Sequence, residues 1–203
     1  MDWPYHEYIW NKHGFHHRDL TPTISYDQKY LDYYLKIDDK VREISAQRAA
    51  VLAAFVKARG KLLDFGCGIG RFIEAASASG WDSYGCDLVP PYDKMPAGPW
   101  EVVTFFDSLE HVPDPAGTIA ALAPKVIMLS TPECHYPGRP DWFMNWKHRK
   151  PGEHLWHWNR HSLSFFLAYL GYSLLMVSNF EDDIRLPYDP ELPNILTAIY
   201  RRK

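Results

Sequence analysis

A run of alternating glycines and two spaced carboxylates are the residues of this chain that could do chemistry together. Residues 61 to 70 read Lys-Leu-Leu-Asp-Phe-Gly-Cys-Gly-Ile-Gly, so Asp64 stands just ahead of Gly66, Gly68 and Gly70. Glycines without a Cβ let a ligand lie against bare backbone, and a following helix offers unpaired N–H groups. Asp87 comes after the loop at the spacing of about twenty residues at which a carboxylate in a β-α-β unit reaches ribose hydroxyls. Together these features read as a site for an adenosine-bearing ligand. A dinucleotide loop is G-x-G-x-x-G and seats a pyrophosphate on a helix N-terminus. Here the pattern is D-x-G-x-G-x-G, whose acid would repel a pyrophosphate and suit an α-amino group. S-adenosylmethionine has that ammonium and no phosphate. The plainer alternative, a glycine turn that only joins two elements, is disfavoured by the strand and helix signals on either side.

Those signals define the elements that must hold the acids in place. Leu62 and Leu63 form a short apolar strand, and Arg71 to Ser79 reads as a helix with Phe72, Ile73 and Ala76 inward and Gly80 as its stop. A second strand runs from Trp81 to Asp87. Upstream, Val41, Ile44, Val51, Leu52, Phe55 and Val56 follow helical spacing over 41–59, with Gly60 as the stop. Farther on, Asp114-Pro115 caps a helix to Ala123, Lys125–Ser130 is a strand, and Ser162–Leu170 is a helix. Strands over Tyr172–Val177 and Leu196–Arg201 follow. Between Leu88 and Trp100, Pro90, Pro91, Pro96 and Pro99 forbid a regular helix or central strand.

With these motifs in this order, the chain resembles the class I S-adenosylmethionine-dependent methyltransferases. It is similar in particular to the small-molecule branch related to ubiquinone-biosynthesis O-methyltransferases. The resemblance rests on Leu63-Asp-Phe-Gly-Cys-Gly-Ile-Gly70, Gly85-Cys-Asp-Leu88, Glu101-Val-Val-Thr-Phe-Phe-Asp-Ser-Leu-Glu-His-Val-Pro-Asp-Pro115 and Ser130-Thr-Pro132. It continues in Gly152-Glu-His-Leu-Trp-His-Trp-Asn-Arg-His and the following segment to Tyr172, and spans roughly residues 23–203. It implies an α/β Rossmann-like sandwich, mostly parallel with an antiparallel last strand. The proline-rich passage leaves no room for the family's third strand and the helix before it, so the expected strand order is 2-1-4-5-7-6. The resemblance also implies roles. Asp64, Phe65, Gly66, Cys67, Gly68 and Gly70 would hold the methionine end, Asp87 the ribose and Leu88 the adenine. Asp107, Ser108 and Leu109 would line the cofactor beside the transferred methyl, and Tyr26 and Tyr30 would close over the methionine tail.

Methyl transfer asks little of side chains beyond alignment and exclusion of water. A hydroxyl acceptor also needs its proton removed, and histidine is the natural residue near neutral pH. His111 and His154 are the candidates, either able to reach the cofactor's mouth, and O-methylation of a small molecule is the expected reaction. Residues 131–161 read as a long insertion without periodicity, carrying Cys134, His135, Arg139, Trp142, Trp146 and the run Lys147-His-Arg-Lys150. Such a segment could grip a planar or anionic acceptor, or be a solvated loop over packed indoles. A structural zinc site shows two tight ligand pairs, and only Cys134 and His135 are close on the cysteine side; His154 and His157 could bind a metal with a partner elsewhere, but no metal is expected.

The composition fits one domain. The 203 residues are 46% apolar, enough for a full core. The first forty, with Trp3, Tyr5, Tyr8, Trp10, Phe15, Tyr26, Tyr30, Tyr33 and Tyr34, read as an aromatic arm or lid ahead of a methyltransferase domain over 41–203. No run of eighteen apolar residues occurs, and His6, Glu7, Lys12 and His13 stand where a signal peptide would be apolar, which predicts a cytoplasmic protein without a membrane partner. Three unpatterned cysteines fit a reducing compartment. The balance of 22 basic against 25 acidic residues argues against general nucleic-acid binding. Two rivals remain at this stage: a nicotinamide-dependent oxidoreductase, disfavoured by Asp64 and the glycine spacing, and a non-catalytic cofactor- or partner-binding relic, suggested by the shortened third-strand region.

Overall fold

The computed structural model describes residues 7–11, 14–24, 26–135, 140–185 and 191–203. Trp3, Tyr5, His6, Lys12, His13 and Arg139 lie outside them. The chain begins with a hairpin, β1 (Tyr8–Asn11) and β2 (Gly14–His17), followed by α1 (Gln28–Lys36) and α2 (Asp38–Phe55). Next come β3 (Lys61–Phe65), α3 (Arg71–Ala78), β4 (Asp82–Cys86), β5 (Val102–Phe106), α4 (Pro115–Leu122) and β6 (Val126–Pro132). Then follow α5 (Pro140–Asn145), β7 (Trp156–His157), α6 (Arg160–Tyr169), β8 (Tyr172–Ser178) and β9 (Ile195–Arg202).

The main sheet has six strands in the order β4-β3-β5-β6-β9-β8. β3, β4, β5 and β6 are parallel, while β9 runs antiparallel to both β6 and β8. This is the expected order 2-1-4-5-7-6, with no strand between β4 and β5 in sequence. Side chains alternate across each strand, so neighbouring residues feed opposite layers. Leu63, Val103 and Ile127 join Ile119 of α4 and Phe166 of α6 on one face. Leu62, Val102 and Val126 join Leu52 of α2 and Phe72 of α3 on the other. Asp114 caps α4 by accepting from Gly117 N–H at 2.9 Å. At α6, Asn159 accepts from Ser162 N–H at 2.9 Å while Ser162 Oγ accepts from Asn159 N–H at 3.1 Å, a reciprocal capping box.

Three expectations change. The helix expected over 41–59 begins at Asp38 and ends at Phe55, because Val56 turns extended (φ −121°, ψ 102°) before Gly60 is reached. Its buried face is Ser45, Arg48, Ala49 and Leu52, while Phe55 is 42% exposed. A buried arginine that meets distant carboxylates rotates the inward stripe away from the most apolar one. Residues 131–161 are not without regular structure: they contain α5 and β7, and Trp146, Trp156 and Trp158 are buried. β7 pairs with β2 to complete a second, antiparallel sheet, β1-β2-β7. Tyr8 and Phe15 of the hairpin pack with Cys134, Phe143 and Trp146, so the described start of the chain and the 131–161 segment share one small apolar core. Among the described residues no helix is long and apolar enough to cross a membrane.

Candidate active site

The carboxyl ends of β3, β4 and β5 converge on two cavities of about 350 and about 80 Å³ that share Tyr30, Gly66 and Asp107. The crevice outside the carboxyl ends of parallel strands is where open α/β sheets bind ligands. The glycine loop after β3 separates the two. Gly66, Gly68 and Gly70 all have positive φ (79°, 53° and 77°), as the pattern of alternate glycines requires. A Cβ on Gly66 would lie 2.5 Å from Ser108 Cβ, whereas one on Gly68 would meet nothing within 4 Å, so the loop's crest faces the open cavity. Gly68 N–H donates to Asp87 Oδ2 at 2.7 Å and Ser108 Oγ donates to Phe65 O at 2.7 Å, which ties β4 and the turn after β5 to the loop.

Asp64 lines the smaller cavity at 3% exposure and accepts from Thr104 Oγ1 at 2.7 Å. Burial pushes its carboxyl up to about 6, against the opposing pull of the Thr104 hydrogen bond and the Arg48 charge. Asp107 is different. Its backbone is left-handed (φ 51°), and its carboxylate is gripped by Arg185 Nη1 at 2.7 and 3.0 Å and by Arg48 Nη2 at 3.3 Å. Burial alone would raise its pKa, but the two guanidinium groups outweigh burial and hold it well below the usual carboxylate range. Arg48 also pairs with the fully buried Glu181 at 2.7 and 2.9 Å, and Thr197 Oγ1 donates to the same carboxylate at 2.9 Å. Arg185 completes the set at 3.1 Å from Glu181, so two cations balance two anions under the strand ends.

Over the cavities lie the tyrosines of the α1 region. Tyr26 and Tyr30 stack edge to face at 4.9 Å, Tyr30 and Tyr34 are also 4.9 Å apart, and Tyr26 OH is 3.1 Å from His111 Nδ1. His111 lines the larger cavity, with Nδ1 also 2.9 Å from Glu153 O. Burial lowers its pKa, so the ring is neutral at neutral pH.

Residues 33–177 match the model of the methyltransferase domain family. The chain belongs to that family. Among curated proteins none matches the sequence. Its fold is shared with solved methyltransferases. An N1-methyltransferase for 1,6-didemethyltoxoflavin from Burkholderia thailandensis, solved with that compound and S-adenosylhomocysteine, is 16% identical with TM-score 0.57 over 89% of this chain and 92% of that one. The magnesium protoporphyrin IX methyltransferase of Synechocystis PCC 6803, solved with S-adenosylhomocysteine, is 17% identical with TM-score 0.55 over 92% of each chain. The small RNA methyltransferase HEN1 is 19% identical with TM-score 0.53, where 78% of this chain covers 25% of that one.

The residues around the two cavities fit S-adenosylmethionine. The buried acid Asp64, the uncovered crest at Gly68 and the 78% exposed apolar side chain of Leu88 at the rim of the larger cavity suit an ammonium at one end and an aromatic base at the other. Of the expected residues, Tyr26, Tyr30, Phe65, Gly66, Asp87, Leu88, Asp107 and Ser108 line the larger cavity, and Asp64, Cys67 and Gly68 the smaller. Three lie elsewhere. Leu109 is fully buried in the apolar core, and a side chain on Gly70 would run into the Tyr92 ring. His154 is 5% exposed and packs behind His111, with ring centroids 4.8 Å apart, so it does not reach the cavity wall. Sequence reasoning missed Arg48, Glu181 and Arg185. The one available signal was a cation at Arg48 on an otherwise apolar helix stripe.

Proposed function

We propose that this methyltransferase acts on a small, flat, largely apolar acceptor and methylates it on oxygen, as its resemblance to the ubiquinone-biosynthesis O-methyltransferases implies. The observation that carries the acceptor class is the larger cavity: Pro22, Ile24, Val112 and Pro113 form apolar wall, and no Lys or Arg is among its described lining residues. An aromatic acceptor fits this wall better than an anionic one. The basic run Lys147–Lys150 does not contribute to it. A volume of about 350 Å³ shared with an adenosyl group also suits a compact acceptor better than a polymer.

In this reading Asp64 receives the ammonium of the methionine end, and the backbone from Phe65 to Gly68 lies along it. Asp87 takes the ribose hydroxyls and Leu88 covers the base. Tyr26 and Tyr30 cover the site and keep water out. Burial, the largest influence on both phenols, raises their pKa values, so they stay protonated. S-adenosylmethionine supplies an electrophilic methyl group on a sulfonium. His111 is the side chain at which the acceptor hydroxyl is activated, since it is the imidazole on the cavity wall.

Calorimetry with S-adenosylmethionine, S-adenosylhomocysteine and NADH, followed by a mass-spectrometric acceptor screen, tests the reading. Micromolar binding of the first two alone and methylation of hydroxylated aromatics are expected. Transfer only to amines, to carboxylic acids or to RNA would overturn the acceptor class, and cofactor binding without any turnover would favour the relic.

A further inference from the structure

Four charged side chains meet beside the cavities in a set that is closed on itself. Arg48 comes from α2, Asp107 from the turn after β5, and Glu181 and Arg185 from the connection between β8 and β9. Among the described residues, every salt bridge made by these four is to another of the four. The Glu181 side chain is fully buried and that of Arg48 is 10% exposed, whereas Asp107 is 29% exposed and lines both cavities. Asp107 is therefore the member that the set turns toward a ligand. Stability is a poor reason for such an arrangement: removing four charges from water is costly, and apolar packing of the same volume is commonly as stable.

The two arginines are not equivalent. Arg48 is fixed by Glu181 at 2.7 and 2.9 Å, by Ser130 Oγ at 2.9 Å and by the Phe106 ring at 4.1 Å, and it reaches Asp107 only at 3.3 Å. Arg185 grips Asp107 at 2.7 and 3.0 Å. Its backbone is pinned on both sides, with N–H donating to Glu181 O at 2.7 Å and the carbonyl accepting from Asn194 Nδ2 at 2.8 Å. Without Arg185, Arg48 would have two carboxylates to neutralise, and Asp107 would face the site as an anion. The larger cavity already carries Asp87 and Glu153, with no Lys or Arg among its described lining residues.

That charge bears on the cofactor and not on its product. S-adenosylmethionine has a positive sulfur; the demethylated product has a neutral one, because the bonding pair stays on sulfur when the methyl carbon leaves. A net anion beside the sulfur would bind the reactant more tightly than a transition state in which the charge is already fading, and so would slow transfer. We propose that Arg185 is a positioning residue that neutralises Asp107 and thereby sets the balance between S-adenosylmethionine and S-adenosylhomocysteine at this site. This role rests on the methyl-transfer reading above, with Asp107 beside the transferred methyl.

The ratio of the two affinities, measured by calorimetry on the whole chain and its variants, isolates the effect. Both ligands share the adenosine, the ammonium and the carboxylate, so a merely loosened site weakens both together and leaves the ratio alone. Arg185→Gln leaves two anions and one cation, and should shift the ratio toward S-adenosylmethionine about tenfold, the effect of a unit charge about 10 Å away through an effective dielectric of about 20. Glu181→Gln leaves two cations and one anion, and should shift it about tenfold the other way. Arg185→Lys keeps the charge and should stay within about twofold of the unaltered protein. Urea denaturation reports whether each variant folds. Should one Gln variant not fold, the other decides by its sign, and Asp107→Asn, which also leaves an excess cation, replaces them if neither does. With both ligands bound by the unaltered protein, a ratio that the Gln variants leave unmoved or move in the same direction overturns this role alone, as does an equal shift in Arg185→Lys. Failure of the unaltered protein to bind either ligand overturns the cofactor reading and this role with it.

Discussion

Replacing Asp64 by Asn should separate cofactor affinity from fold stability, because the two depend on the carboxyl in opposite directions. The substitution keeps the shape of the group and an oxygen for Thr104, which now donates to Asp64 at 2.7 Å. It removes the charge. A hydrogen bond to a charged group contributes about 1.5–3 kcal/mol, so S-adenosylhomocysteine, which retains the ammonium, should bind about ten- to hundredfold more weakly at pH 7.5. The carboxyl of Asp64 is pushed up to about 6 by burial, so at pH 5 only about one-tenth is ionised. The unaltered protein should therefore lose about tenfold in affinity between pH 7.5 and pH 5, and the Asn variant should lose this pH dependence. Stability runs the other way. A folded-state pKa raised from 3.8 to about 6 means that protonation favours the fold: the contribution is full below about pH 4 and lost as pH rises through 6. That difference is about 3 kcal/mol, of which about half is already lost at pH 5, so the unliganded Asn variant should be more stable than the parent by about 1.5 kcal/mol at pH 5 and by up to about 3 kcal/mol at pH 7.5. Calorimetry at the two pH values and urea denaturation read both effects. Unchanged affinity in the variant, or a parent affinity indifferent to pH, would refute the placement of the ammonium at Asp64.

Glu181→Gln should destabilise the fold by about 3–5 kcal/mol in urea denaturation, because Arg48 and Arg185 would keep their charges under the strand ends with Asp107 as the remaining anion; a loss under about 1 kcal/mol would mean that water reaches the network. Leu88→Ala should weaken S-adenosylhomocysteine by about 1 kcal/mol, roughly fivefold, with an unchanged Tm, since the side chain is 78% exposed without ligand; equal affinity would move the base away from Leu88.

Much of this protein is determined within short stretches of its sequence. Alternate glycines at 66, 68 and 70 force a left-handed loop because other residues are strained there. The prolines from Pro90 to Pro99 rule out a strand because they lack an N–H and fix φ, which is why the shortened sheet is legible in the sequence. Asp64 and Asp87 reach the cavities because strand length and loop spacing deliver them to one edge of the sheet. The tertiary structure decided what lies between distant residues. Arg48 and Arg185 close on Asp107 from elements far apart in sequence, and only the packing of α2 against the sheet brings them to one carboxylate. The pairing of Phe15 with His157, which turns an aromatic arm into part of a second sheet, is likewise a long-range register that no local pattern encodes. Glu181 joins the two arginines for the same reason: burial and strand pairing act on the whole folded chain, whereas periodicity and turn chemistry act on a few residues at a time.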